Sequence, residues 1–145
     1  GRACIDKEHR NGRVLDLLWK GIGQYVKILD AKWLIGCSSV KTTSAQEISS
    51  LLRYLEERRS TIENINLDVK PTFTHPALGK GPLKVSEEQI ENGKNILPNL
   101  VKSYLAAGAR VSSSAAYDEE FKCFDLFTLL EVDNMSSTYK RRYLS

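Results

Sequence analysis

Between Arg13 and Cys37 the hydrophobic period changes once, and that change does most to narrow what the chain can fold into. Leu15, Leu18, Ile22, Val26 and Leu29 recur at three- and four-residue steps, which lines one face of a helix. The opposite face carries Arg13, Asp16, Lys20, Gln24 and Lys27, a polar stripe that solvation alone explains. Trp33-Leu34-Ile35-Gly36-Cys37 is then a short apolar run between polar residues, expected as a strand buried on both faces within a parallel sheet. Upstream, Ala3, Cys4 and Ile5 suit a strand, Arg2 to Ile5, that enters a polar turn over Asp6 to Gly12. Strand, turn, helix and strand in that order predict parallel strands joined by a right-handed crossover.

A second crossover helix is expected from Ser44 to Arg58. Ser44 and Glu47 have capping-box spacing, and Ile48, Leu51, Leu52 and Leu55 follow at helical intervals. The stretch Ile65 to Val85 holds three of the four prolines and follows neither hydrophobic period, so it reads as a surface excursion or lid. A short helix is expected after Ser86. Another runs from Pro98 to Ala107, with Leu97, Leu100, Val101, Tyr104 and Leu105 as its apolar stripe and Gly108 at its C-terminal cap. Two strands, Ala109 to Ser113 and Phe124 to Val132, close the sheet as an antiparallel pair, with Phe124, Leu126, Leu130 and Val132 on one face. Tyr139 to Tyr143 is expected as a short basic helix. The class is therefore α/β (α+β): one domain over residues 1–145, with a mixed twisted sheet and helices on both faces.

Charge excludes more than it identifies. A formal net charge of +3 with 27% charged residues falls far short of the one-sided basic density of a nucleic-acid binder. Arg141 and Arg142 alone make no such platform, so no nucleic-acid partner is expected. The apolar runs are much shorter than the roughly 20 residues that span a bilayer, and no signal peptide opens the sequence, so a cytoplasmic protein without a transmembrane segment is expected. Contact with a membrane surface stays open. Cys4, Cys37 and Cys123 lack C-x-x-C spacing and read as buried reduced thiols.

His9-Arg10-Asn11-Gly12-Arg13 lies where a strand gives way to a helix. Free backbone N–H groups and the helix dipole favour an anion there, Gly12 permits close backbone approach, and Arg10 and Arg13 add charge. An ordinary connecting loop explains the same residues. Gly21-Ile22-Gly23 falls inside the helical period and Gly79-Lys80-Gly81 lacks a preceding strand, so neither reads as a nucleotide loop. His9 and His75 have no third ligand at suitable spacing, so no metal is expected. Asp125 interrupts an apolar strand, and a buried acid must be paired or functional.

Four blocks, Gly1-Arg2-Ala3-Cys4, Arg10-Asn11-Gly12-Arg13, Leu17-Leu18-Trp19-Lys20-Gly21-Ile22 and Leu34-Ile35-Gly36-Cys37-Ser38-Ser39-Val40, resemble successive blocks of the hemolysin-like N-acyltransferases. That family includes ornithine-lipid-forming enzymes, is related to the acyl-homoserine lactone synthases, and lies within the GNAT superfamily. Leu97 to Leu105, Gly108-Ala109, and Tyr117-Asp118 through Phe121 and Asp125 resemble its later blocks.

The resemblance implies a GNAT-like sheet in which Arg2 to Ile5 and Trp33 to Cys37 splay apart to admit the donor's pantetheine arm. Cys4, Ile5, Arg10, Asn11, Gly12 and Arg13 would then bind the donor, acyl-CoA or acyl-acyl carrier protein. Arg10 and Gly12 stand only two apart, unlike the superfamily's usual Gln/Arg-x-x-Gly-x-Gly/Ala turn. That departure fits a carrier-protein donor whose acidic surface meets Arg13, Lys20 and Lys27. Arg2 matches a family arginine that could grip an acceptor carboxylate, or it pairs with Asp125; both are the expected catalytic residues. Relatives carry an acid just upstream of the Gly1-Arg2 block, so the resemblance also implies the carboxyl-terminal portion of the fold, without its first strands. The implied activity is transfer of a fatty acyl group to an amino-acid or small amine acceptor. A non-catalytic carrier or lipid binding module of the same fold is the rival.

Overall fold

The computed structural model describes residues 6–9, 12–79 and 81–145. The strand expected at Arg2 to Ile5, and with it the parallel pairing to Trp33 to Cys37, lies outside the described residues. Helix α1 spans Gly12–Leu29 and strand β1 spans Trp33–Val40. Helix α2, Ala45–Glu57, opens at Ser44, whose Oγ accepts the Glu47 amide at 3.2 Å. The Glu47 carboxylate does not complete a box with Ser44 but accepts the Thr42 hydroxyl. The full reciprocal capping box is at α3, Glu87–Gly93, where Gln89 N donates to Ser86 Oγ at 3.3 Å and Ser86 N to Gln89 Oε1 at 2.8 Å.

The excursion between α2 and α3 contains two single 3-10 turns, Pro71–Phe73 and Pro76–Leu78. It is fastened at Leu83, whose amide donates to Ser49 Oγ at 2.9 Å, and at Leu67, whose carbonyl accepts Ser114 Oγ at 3.1 Å. His75 anchors it as well, with its ring 4.8 Å from Tyr117 and 5.5 Å from Phe124. Helix α4, Asn99–Ala107, ends at Gly108, whose φ of +107° is the left-handed cap expected of a glycine. Strands β2, Arg110–Val111, β3, Ala116–Asp118, and β4, Cys123–Glu131, follow, and helix α5, Ser137–Tyr143, comes last.

β4 organises the sheet. The whole length of β1 pairs antiparallel with it, from Trp33 opposite Glu131 to Val40 opposite Phe124. Its other edge is shared by β2 and β3, also antiparallel. Ser112 spans the gap between those two: its hydroxyl accepts the Phe127 amide at 3.1 Å and donates to the Ser114 carbonyl at 2.6 Å, a side chain replacing a rung of the ladder. The parallel pairing among the described residues is limited to single bridges, of which Thr61 with Val111 ties the end of α2 to β2.

Even-numbered residues of β4 point into the core. Phe124 and Leu126 join Val40 and the α2 residues Ile48, Leu51, Leu52 and Leu55 in one cluster. Leu130 joins Trp19, Ala107, Ala109 and Met135 in a second. In that cluster Trp19 meets Tyr104 and Tyr139 edge-on and stacks on Tyr143 with centroids 5.7 Å apart. Asp16 fastens the same junction by accepting Arg142 Nε at 2.8 Å and the Tyr143 hydroxyl at 2.9 Å, with Lys20 at 3.1 Å. Lys20, Tyr143 and Arg142 hold the Asp16 carboxyl below its usual value.

The expectation of a β1 strand buried on both faces is corrected. Trp33 and Ile35 are 53% and 68% exposed, and Cys37 is exposed rather than packed. β1 belongs to an antiparallel sheet in which the helices that reach the two core clusters cover the even face, so alternate side chains of β1 stand open. Cys123 is buried, as expected, and Cys4 lies outside the described residues.

Candidate functional site

The antiparallel register that buries Phe124 puts Asp125 on the opposite face, half-buried rather than inside the core. Ser39 is its partner on β1, and the Ser39 hydroxyl donates to Asp125 Oδ1 at 2.5 Å. On the other side β3 pairs Ala116 with Asp125 and Asp118 with Cys123. Three strands therefore converge where β4 begins. The carboxylates of Asp118 and Asp125 and the thiol of Cys123 lie within 4.8 Å of one another. Asp118 Oδ1 also accepts the Phe121 amide at 2.9 Å, which closes the β3–β4 turn and orients the carboxylate.

Two carboxylates this close make a negative site that a cationic group can enter with compensation. Asp, Cys and Asp also offer donor atoms of the kind that hold a divalent cation, although one ligand is soft and two are hard. The histidines do not contribute to it. His75 Nδ1 accepts the Ala77 amide at 3.2 Å and the ring packs on Tyr117, a structural role.

Of the donor-site residues expected from the sequence, Gly12 and Arg13 are described. They form the exposed first turn of α1. Arg2, Cys4, Ile5, Arg10 and Asn11 lie outside the described residues. Sequence reasoning singled out Asp125 but missed Ser39 and gave Asp118 no role. The signal for both is pairing register, which residue spacing along the chain does not carry.

The pockets elsewhere are shallow surface features. One of about 550 Å³ is lined by Arg53, Glu56, Glu57, Lys84, Val85 and Ile90, away from the strand junction. No described helix is long and apolar enough to cross a membrane.

No family model matches the chain, and no solved structure matches it. Curated proteins do. The chain is 28% identical over 145 residues to an L-ornithine N(alpha)-acyltransferase of Brucella abortus, covering 99% of this chain and 50% of that protein. The corresponding protein of Rhodobacter capsulatus is 26% identical, with 99% and 53% covered, and that of Rhizobium meliloti 27% identical, with 99% and 47% covered. The chain spans about half the length of the curated relatives it matches. Along 99% of its own length the chain is similar to L-ornithine N(alpha)-acyltransferases.

Proposed function

We propose that this chain carries the acyl-transfer site of an N-acyltransferase that moves a fatty acyl group from an acyl thioester to an amino acid such as ornithine. The observation that carries the reading is the match to four L-ornithine N(alpha)-acyltransferases along nearly the whole chain. The donor is acyl-acyl carrier protein or acyl-CoA. Its phosphate would meet Arg10, Asn11, Gly12 and Arg13, and its pantetheine arm would pass Cys4 and Ile5.

In the reaction the acceptor amine forms a bond to the thioester carbonyl, the nitrogen loses a proton, and the carbon–sulfur bond breaks to release a thiol. Ornithine brings two amines and a carboxylate. In this reading the Asp118 and Asp125 pair draws in an ammonium of the acceptor, Ser39 fixes the Asp125 carboxylate, and Arg2 grips the acceptor carboxylate in two-pronged fashion. Support for the acidic end comes from the convergence of Asp118 and Asp125 at one strand junction.

The test uses the natural protein that contains this chain, with long-chain acyl-CoA and acyl-acyl carrier protein as donors and ornithine among a panel of amines. Thiol release coupled to amide formation is expected. Asp125→Ala and Arg2→Ala should each lower kcat/KM by about a hundredfold or more while sparing donor binding. No thiol release with any donor refutes the reading. Donor binding without turnover in the unmutated protein favours the non-catalytic carrier module instead.

A further inference from the structure

β3 is three residues long and pairs with β4, while its other edge meets no strand among the described residues. A strand this short on a single ladder needs a second hold, because a two-stranded pairing is marginal by itself. Register divides its side chains. Tyr117 pairs with Phe124 and takes the core face, whereas Ala116 and Asp118, opposite Asp125 and Cys123, take the other. Whatever grips Tyr117 therefore also places Asp118.

The excursion between α2 and α3 supplies that grip. His75 meets the Tyr117 ring edge-on, at 88° and 4.8 Å, and the Tyr117 and Phe124 rings lie 5.0 Å apart, so one aromatic cluster joins the excursion, β3 and β4. The His75 ring is itself oriented, because it caps the turn Pro76–Leu78 by accepting the Ala77 amide at Nδ1, and Leu78 packs against the core cluster that holds Phe124. The link leading into β3 is tied as well, where the Ser114 hydroxyl donates to the Leu67 carbonyl at 3.1 Å. On the opposite face the consequence is local. The Asp118 and Asp125 carboxylates stand within 4.8 Å of each other, and Cys123, opposite Asp118, is only 4% exposed.

We infer that the excursion is a strap on β3 and that His75 is a positioning residue, acting through Tyr117 to hold Asp118 beside Asp125. Its role in the site rests on the acyl-transfer reading, in which that pair receives an ammonium of the acceptor; the strap itself does not. His75 touches no reacting group and moves no proton. With its ring removed, β3 keeps the ladder to β4 but loses its second hold, so it opens locally while the rest of the sheet stays paired. Asp118 then leaves Asp125, and acceptor binding weakens while donor binding is spared.

Cys123 reports the opening without any substrate. Its alkylation is followed by peptide mass spectrometry, with the exposed Cys37 as internal reference. His75→Ala should speed Cys123 labelling about tenfold at an unchanged Cys37 rate, because two ring contacts are lost and thiol reactivity follows exposure. His75→Phe, which keeps a ring against Tyr117, should restore the parent rate. Ser114→Ala unties only the Leu67 link and should speed labelling about threefold, and it carries the test where His75→Ala does not fold. Ser44→Ala, at the start of α2, controls for a general loss of stability and should leave Cys123 slow. In the natural protein that contains this chain, His75→Ala should raise the KM for ornithine about tenfold and leave that for the acyl donor unchanged, with recovery in His75→Phe. Unchanged Cys123 labelling in the strap variants overturns the inference, as does equal acceleration in Ser44→Ala. Faster labelling with an unchanged ornithine KM overturns the role in the site. A parent protein that releases no thiol with any donor refutes the acyl-transfer reading, and with it that role, while the labelling rates still decide the strap.

Discussion

Gly21 and Gly23 lie two residues apart on α1, and the same substitution should move stability in opposite directions at the two sites. A Cβ on Gly21 meets nothing within 4 Å, so Gly21→Ala should collect the helix-propensity gain of about 0.8–1 kcal/mol. A Cβ on Gly23 would lie 1.9 Å from the Tyr143 carbonyl oxygen and 2.9 Å from its carbon, both backbone atoms. Separating them needs a shift of more than an ångström in α5, which strains the Tyr143 stack on Trp19 and the Arg142 and Tyr143 contacts to Asp16. Overpacking of this kind costs about 1–3 kcal/mol, and the backbone partner places it toward the upper end. After the propensity gain, Gly23→Ala should be destabilised by about 1–2 kcal/mol. At this chain length that lowers the melting temperature by about 2–8 °C, while Gly21→Ala raises it by about 2–4 °C. Fluorescence in a Trp33→Phe background isolates Trp19, which is 5% exposed and should shift to the red only in Gly23→Ala. Shifts of the same sign in both variants would refute the close-approach argument.

Other outcomes follow from the same contacts. Phe124 is fully buried against Tyr117 and His75, so Phe124→Ala should cost about 3–5 kcal/mol in a denaturant titration. Ser44→Ala removes the acceptor for the Glu47 amide at the start of α2 and should cost about 1 kcal/mol by the same measurement. The lowered Asp16 pKa stabilises the folded state above the unfolded carboxylate range, and that contribution is lost as pH falls through the folded value. Asp16→Asn should therefore be less stable than the parent at neutral pH. The two melting curves should converge in acid below the ordinary aspartate value of 3.8, and a gap that persists there would count against the linkage.

The elements with a long hydrophobic period were legible from sequence because their local and tertiary preferences agree. α1 occupies Gly12–Leu29 and α2 Ala45–Glu57, within a residue of the spans that Arg13 to Leu29 and Ser44 to Arg58 predict. Gly108 caps α4 as its position suggests, because a left-handed residue there is a local demand. β3 escaped notice, since Ala116-Tyr117-Asp118 is too short to show a period and is held by β4. Trp33 to Cys37 misled for a related reason. An uninterrupted apolar run signals burial on both faces, but it cannot say which neighbour covers the second face or whether that neighbour is present.

The same limit governs the site. Asp125 stood out because a carboxylate in an apolar strand conflicts with its surroundings, and such a conflict is local enough to read. Ser39 and Asp118 fit their own segments without conflict and become partners of Asp125 only when three strands pair in one register. A one-residue slip of β4 against β1 would send Asp125 into the core and Phe124 out of it, so burial of Phe124 and placement of the carboxylate are one event. Core packing thereby fixes the face of the sheet on which the acidic pair stands. That side is also the sheet face left open at Trp33, Ile35 and Cys37, so the register that sets the acidic pair also sets which apolar side chains of β1 stand beside it.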